Sequence, residues 1–521
     1  MRSFSRLLWI LLLLLALLLA ARMAVNGAVL PAVLFAAASL LVVRVYSSPR
    51  TLASRYLLPG LAAFSVFVLL PLLYTVYIAF TNYSGAHLLT RARVEAWFDT
   101  ETYAPSPARY PFRLHRLPSD PPRLVAALSL PRTPAAPEPR YLLSPPFDPD
   151  ALSPDAPLRL SLDTVPPTAS PLSIRDVVSL RPALRNARFL APGQPVPLRV
   201  VSLRDIAPRA PLWPHPADDP DARVNALTGQ RIVPDTALGN YVDPATSLPV
   251  GPGWRVFSGL DNYRLLFGNP AIRSPFLRIF AWNIVFAFLS VASTFALGLL
   301  LAALLQWPAL RFRALYRTLL LLPYAIPAFI PILVFKGLFN ESFGEINLIL
   351  TTLFGVAPRW FTDPTLARLM ILLVNLWLGY PYMLLISSAM LQTVPPDLYE
   401  AAAIDGAGPL SNFFRITLPQ VFPPLFPLLV ASFAFNFNNF SLVYLLTGGK
   451  PDLLGSATVA GSTDLLVSYT FRMAFKDSAS RFGFAAAVAT ILFLLVAVLA
   501  WLQLRRPAPS PSAASAASRS R

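Results

Sequence analysis

Apolar runs long enough to cross a bilayer constrain this chain more than any other feature. A hydrocarbon core of roughly 30 Å takes about 20 helical residues. Such runs lie at Phe4 to Ala21, Gly27 to Val45, Leu57 to Phe80, Phe276 to Leu305, Tyr316 to Leu338, Leu369 to Met390, Pro419 to Leu446 and Phe484 to Leu504. Lipid offers no partner to backbone N–H and C=O groups, so runs of this kind must satisfy their own and fold as helices. The expected fold class is an all-α polytopic membrane protein of about eight transmembrane helices. Composition agrees, since 55% of the 521 residues are hydrophobic and only 13% are charged, too apolar for a soluble domain of this size. The first run follows Arg2 and Arg6 and ends in Ala20 and Ala21, which also suits a cleaved signal peptide. Downstream topology is the same either way.

An even number of spans puts both termini on one side. The short connections there carry Arg44, Arg50 and Arg55, then Arg311, Arg313 and Arg317, then Arg415, Arg505 and Arg506. The positive-inside rule makes that side cytoplasmic, in a cell membrane. The formal charge of +17 is explained by orientation rather than by nucleic acid. Residues 1–80 then hold three spans and 275–505 hold five. Between them a polar insertion, 81–274, is large enough to fold separately on the periplasmic or extracytoplasmic face. It is rich in Pro and Arg, and pieces such as Arg199-Val200-Val201-Ser202-Leu203 suit brief Pro-bounded strands, so a β-rich domain is expected; a largely disordered Pro-rich loop is the alternative. Residues 506–521, all Ala, Ser, Pro and Arg, read as a disordered cytoplasmic tail.

Several function classes fall away. Without cysteine there is no disulfide framework, thiolate metal site or thiol nucleophile. A membrane enzyme would need clustered acid, base or metal-binding residues, and the acids from Asp99 to Asp261 are scattered. An ion-coupled carrier would place ionisable residues or internal repeats in the membrane, where the spans hold few candidates apart from Lys336, near a span end. No Gly-x-x-x-x-Gly-Lys-Ser/Thr phosphate loop occurs, and Gly448-Gly449-Lys450-Pro451 lacks its spacing and hydroxyl. Any ATP-hydrolysing site is expected on another chain.

The connection between the sixth and seventh spans, 394–419, is the most informative stretch. Pro395-Pro396-Asp397 with Glu400 three residues on predicts a short helix capped by Asp397, with Glu400 reaching back. Ala401, Ala402 and Ala403 give it a low face, Gly406, Gly408 and Pro409 end it, and a second segment runs from Leu410 to Ile416. This is a helical turn outside the bilayer on which a partner could dock closely.

Two polar stripes lie at membrane depth. Asn375, Gly379 and Tyr382 recur at i, i+4 and i+7 beside Leu378, and Ser432, Asn436 and Asn439 repeat that spacing among Phe433, Phe435, Phe437 and Phe440. Buried amides are costly unless satisfied, so both stripes are expected to face the bundle interior, a water-filled cavity or one another. They offer the amides and rings that a sugar needs, and they would serve equally to hold helices together. Pro323, Pro327 and Pro331 predict a bent fifth span that lines a cavity.

Glu400-Ala401-Ala402, Gly406 and Ile416-Thr417-Leu418-Pro419 resemble the coupling loop of ABC importer permeases. Leu378-Gly379-Tyr380-Pro381-Tyr382, Asp405-Gly406-Ala407-Gly408-Pro409, Ser432 to Phe440 and Phe343-Gly344-Glu345-Ile346-Asn347 are similar to the larger permease of maltose/maltodextrin importers, a likeness covering about Trp254 to Trp501. The resemblance implies a heterodimeric pore with a smaller six-span permease, a homodimeric cytoplasmic ATPase and a periplasmic sugar-binding protein. It implies no cofactor on this chain, with ATP and Mg used by the ATPase. Its substrate-binding residues would be Tyr324, Asn375, Leu378, Gly379, Tyr382, Ser432, Phe435, Asn436 and Asn439. Its coupling residues would be Glu400, Ala401, Ala402, Gly406, Ile416, Leu418 and Pro419. Maltose and maltodextrins are the expected cargo, with trehalose or sucrose as alternatives. Ala328 stands where the family often has serine, and the insertion matches by position rather than by motif.

Overall fold

A computed structural model describes residues 2–505 except 27–28, 48–50, 119–122, 132–139, 153–155, 164–169, 186, 308 and 457. The chain divides into two compact units, Met1–Gly85 with Phe257–Arg521, and Ala86–Val256.

The first unit is helical. Helices α1 (Arg2–Val25) and α2 (Val29–Ser47) pack side by side, with the Trp9 and Tyr46 rings stacked 5.6 Å apart. Helix α3 (Leu52–Phe64) continues through a π turn, Ser65–Leu69, into α4 (Leu70–Ala79). The wide turn has a local cause: Pro71 has no N–H to give the Phe67 carbonyl, and the ring would crowd it.

The inserted unit is β-rich, as expected. It carries α5 (Arg91–Thr100), α6 (Ile174–Leu184), an eight-stranded sheet and a four-stranded meander running from 223 to 250. At the centre of the large sheet Tyr110–Arg116 pairs antiparallel with Leu124–Ser129, His115 standing opposite Val125. Phe112 and Leu114 point into the core while Pro111 and Arg113 face out, a period-two alternation that ends at His115, which is buried on the opposite face. The segment beginning at Arg199 is a strand only as far as Val200, because residues 201–204 turn over. A second core surrounds Phe98, Trp213, Tyr241 and Trp254. There the buried Arg223 bonds Asp99 at 2.7 Å and lies over the Phe98 and Tyr241 rings. The unit is narrower than the 81–274 read from composition: residues from Phe257 onward join the helical unit, where Asn262 Nδ2 donates to the carbonyls of Ala79 and Thr81, both at 2.9 Å.

The helical unit resumes with α7 (Asp261–Gly268), α8 (Pro270–Leu305) and α9 (Arg313–Leu321). A 3-10 turn (Leu322–Ala325), α10 (Phe329–Leu338), α11 (Glu345–Phe354) and α12 (Pro364–Leu391) follow. Then come α13 (Pro396–Ile404), α14 (Pro409–Asn412), a π turn (Phe413–Thr417), α15 (Leu418–Phe437), α16 (Phe440–Leu446), α17 (Leu466–Phe475) and α18 (Phe482–Leu504). The second π turn repeats the logic of the first, since Pro419 leaves the Arg415 carbonyl without its usual donor. The fifth run bends by 94° between Ala325 and Phe329, at Pro327, as its prolines predict. Among the described residues four helical stretches are long and apolar enough to cross a membrane, Leu52–Ala79, Pro270–Leu305, Pro364–Leu391 and Pro409–Phe437, and a fifth if the bent pair is one span. Apolar helices with shorter described stretches, among them 11–25, 31–47 and 482–498, lie where other runs were read.

Helices α8 and α12 make the most extensive pairing of the unit, and two glycines let them meet. A Cβ on Gly298 would stand 2.5 Å from Met383 Cβ and 2.7 Å from Leu384 N, and one on Gly379 would stand 2.8 Å from Thr294 Cγ2. Close approach of this kind is how helices associate where lipid removes the hydrophobic incentive.

Candidate substrate and coupling sites

The two polar stripes meet. Asn375, on α12, donates from Nδ2 to Asn436 Oδ1 on α15 at 2.8 Å. Asn439, in the two-residue break between α15 and α16, donates from Nδ2 to Asn375 Oδ1 at 3.3 Å. Asn436 Nδ2 in turn donates to the Ser432 carbonyl at 2.9 Å. Three side-chain amides therefore form one relay running Asn439, Asn375, Asn436, and ending on the backbone of α15. Asn439 has a second task, because its Oδ1 accepts the Leu442 N–H at 3.3 Å and starts α16. Asn375 and Asn436 are buried, and their burial is tolerable because each amide has found partners. The chemistry on offer is a set of donors and acceptors in apolar surroundings, each of which a sugar hydroxyl could replace one for one.

The remaining expected substrate residues divide by position. Leu378 and Tyr382 lie partly buried on α12, and Gly379 faces Thr294 of α8, so its place in the fold is a helix crossing. Ser432 enters the relay through its carbonyl. Phe435 is 72% exposed and Tyr324, in the 3-10 turn of the bent span, is 61% exposed in this chain alone. That turn packs against α12, the helix that carries Asn375.

The coupling loop is helical, as its spacing predicts, but it starts differently. Pro395 occupies the N-cap position, α13 begins at Pro396 and no side chain caps it. Asp397 falls inside the first turn, where a carboxylate still favours the positive end of the helix dipole. Two consecutive prolines set the entry geometry, and the N-cap position falls at Pro395, two residues before the cap expected at Asp397. Gly406 takes φ of +72° after the helix, with open space around its Cα. Glu400, Ala401, Gly406 and Pro419 are exposed, Ala402, Ile416 and Leu418 partly so. Ile404 is 88% exposed and Leu410 is 75% exposed. Tyr399, unremarked in the sequence, ties α13 to the foot of α15 through a 2.9 Å hydrogen bond between its OH and Thr417 Oγ1.

Two further features escaped the sequence reading. Asn283, fully buried in α8, bonds the Phe437 carbonyl and the Leu466 N–H; a lone amide inside an apolar run was the available signal. In the loop after α16, Asp464 accepts from Arg472 Nη1 at 2.7 Å, from Ser468 Oγ at 2.8 Å and from the Gly461 N–H at 2.8 Å. Arg472 also pairs with Asp452. Burial pushes the Asp464 carboxyl up to about 7, against the pull of Arg472, and Asp464 and Asp452 together hold the guanidinium above its ordinary value despite burial.

Comparison with known proteins agrees with this architecture. Residues 294–505 match the model for the binding-protein-dependent transport system inner membrane component, and residues 89–259 match that for the maltose transport system permease protein MalF P2 domain. The maltose/maltodextrin transport system permease protein MalF of Vibrio vulnificus (strain YJ016) is 43% identical over 473 residues, 88% of this chain and 86% of that protein. This chain belongs to the MalF family. The MalF of Escherichia coli (strain K12) is likewise 43% identical, over 475 residues and 88% of both chains. MalF membership makes the chain a multi-pass inner-membrane permease subunit of an ABC importer, with ATP hydrolysis on a separate subunit, and it identifies the inserted β-rich unit as a P2 domain.

Proposed function

We propose that this chain binds and translocates maltose and maltodextrin-type oligosaccharides by alternating access, at a site built on Asn375, Asn436 and Asn439. The relay of three amides between α12 and α15 carries the reading. A sugar presents hydroxyls that donate and accept, so Asn375, Asn436 and Asn439 exchange one another for substrate without leaving a buried amide unpaired. Leu378, Tyr382 and Phe435 supply apolar and aromatic surface beside the relay, and Tyr324 approaches on the bent fifth span. Gly379, one turn on from Asn375, lies where α12 passes Thr294 of α8.

The energy comes from outside the chain. Ile404 at the end of α13 and Leu410 on α14 are exposed, and the small face of Ala401 and Ala402 suits insertion into a cleft of an ATPase subunit resembling MalK. That subunit uses ATP and Mg, and this chain binds no cofactor of its own. The pore is completed by a smaller permease resembling MalG, and the P2 unit on the periplasmic side receives the sugar-binding protein. Eight spans with both termini cytoplasmic accommodate this arrangement.

The decisive experiment is ATP-dependent uptake of labelled maltose, maltotriose, trehalose and sucrose by proteoliposomes holding the full assembly. Maltose and maltotriose should enter, and Asn436→Ala should abolish entry while leaving the protein in the membrane. Wild-type uptake by Asn436→Ala would sink the site assignment, and sugar entry without ATP would sink the energy source.

A further inference from the structure

The amide relay stands beside a break in the helix that carries it. Helix α15 ends at Phe437, α16 begins at Phe440, and Asn436 lies just before the interruption and Asn439 within it. Backbone groups at such ends lack intrahelical partners, and the chain there is free to shift unless something else holds it. Asn283 holds it. Its Nδ2 donates to the Phe437 carbonyl at 3.0 Å, and its Oδ1 accepts the Leu466 N–H at 2.7 Å. Leu466 is the first residue of α17, so one side chain of α8 satisfies an end of α15 and the start of α17 together.

The α17 anchor is itself firm. Ser468 Oγ accepts the Leu465 N–H at 2.9 Å and donates to Asp464 at 2.8 Å, and Asp464 is locked by Arg472. Asn283 is wholly buried and each end of its amide already bonds backbone, so it is not placed to meet a sugar directly. Its effect must pass through the backbone at Phe437.

We propose that Asn283 is a positioning residue for the sugar-binding amides, fixing the α15 break so that Asn436 and Asn439 stand in register with Asn375. This rests on the substrate site proposed above. Loss of the clamp frees the 437–439 segment, and the ligand must then restore an order that the resting protein no longer supplies.

The test is equilibrium binding of labelled maltose to the complete transporter in lipid nanodiscs, without the binding protein, which otherwise dominates apparent affinity. Asn283→Leu keeps size and removes both hydrogen bonds; Asn283→Ser is shorter, stays polar and falls out of reach of both partners. Each should weaken binding about tenfold, equivalent to about 1.4 kcal/mol. In an Asn436→Ala background the same changes should add less than about twofold, because the group being positioned is gone. Equal losses in both backgrounds, wild-type affinity in both single variants, or failure of both to accumulate in the membrane would each overturn the positioning role. If Asn436→Ala itself binds maltose normally, the substrate site falls and this inference with it. A loss at Asn436 with none at Asn283 removes only the inference.

Discussion

Replacing Gly298 by alanine separates a packing role from a helix-propensity role, and the structure supplies both terms. In a helix interior, Gly→Ala by itself stabilises by about 1 kcal/mol. Against that, the new methyl on α8 would meet Met383 Cβ at 2.5 Å, and Met383 C and Leu384 N at 2.7 Å, where ordinary contact begins near 3.4 Å. Two of these three atoms are backbone of α12, which no rotamer change removes, so the helices must part by most of an ångström along their longest pairing. Overpacking of this kind costs about 1–3 kcal/mol, and the upper half applies where backbone is the obstacle. The net expectation is a loss of about 1–2 kcal/mol.

Gly379→Ala is the internal control. Its methyl meets only the Thr294 Cγ2, at 2.8 Å, and Thr294 turns away at the expense of its 2.6 Å bond to the Ser290 carbonyl, worth about 1 kcal/mol. Propensity gain and lost bond then nearly cancel. The assay is the melting temperature of the purified permease complex for wild type and the two variants, side by side. Gly298→Ala should melt several degrees lower and Gly379→Ala within about two degrees of wild type. Equal stability for all three, or the reverse order, would refute the view that the α8–α12 backbone approach sets the crossing.

Gly406→Pro should leave the protein in the membrane and assembled, yet reduce sugar-stimulated ATP hydrolysis at least tenfold, because proline is held near φ of about −65° and position 406 requires +72°; retained stimulation would count against α13 as the coupling element. Arg472→Met should cost about 3–5 kcal/mol at pH 8 by leaving Asp464 buried without its cation. Burial has already raised the Asp464 carboxyl, and a raised acid contributes stability below its unfolded value of 3.8 that is lost as pH rises through its folded one, about 7 with Arg472 in place. Removing the residue that opposes the rise steepens the loss, so the melting gap from wild type should widen between pH 5 and pH 8; a gap independent of pH would show that Asp464 does not titrate with folding.

What the sequence disclosed, and what it withheld, follow from the range of the interactions involved. Apolar length and period are local, so the long apolar helices, the bend at Pro327, the α13 turn and the α12 stripe were legible residue by residue, whereas the run read as continuous from Pro419 to Leu446 breaks at Asn438-Asn439, and Asn439 leaves the helix that carries Asn436. The P2 unit was legible as β-rich but not in its limits, because residues from Phe257 onward join the helical unit through contacts such as Asn262 with Ala79 and Thr81, which no composition shift marks. The cap at Asp397 failed for a different reason. Pro396, whose fixed φ suits the first helical position, starts the helix one residue before Asp397, so Asp397 falls inside the first turn rather than at the N-cap.

Pairing was the least legible layer, and it decides what the stripes mean. Spacing alone placed Asn375 on one face and Asn436 and Asn439 on another, which suits a cavity and suits helix adhesion equally well. The structure shows the faces bonded directly to one another through side-chain amides. Adhesion and recognition then cease to be rivals: a relay that is satisfied when empty avoids the cost of unpaired amides in a dry interior, while each of its bonds is one that a hydroxyl can replace. Apolar adhesion in place of the relay would close α12 on α15 as firmly but would give an entering sugar nothing to exchange. Asn436 and Asn439 therefore have to be held in register from outside the pair, and the buried amide of Asn283 is where the fold provides that hold.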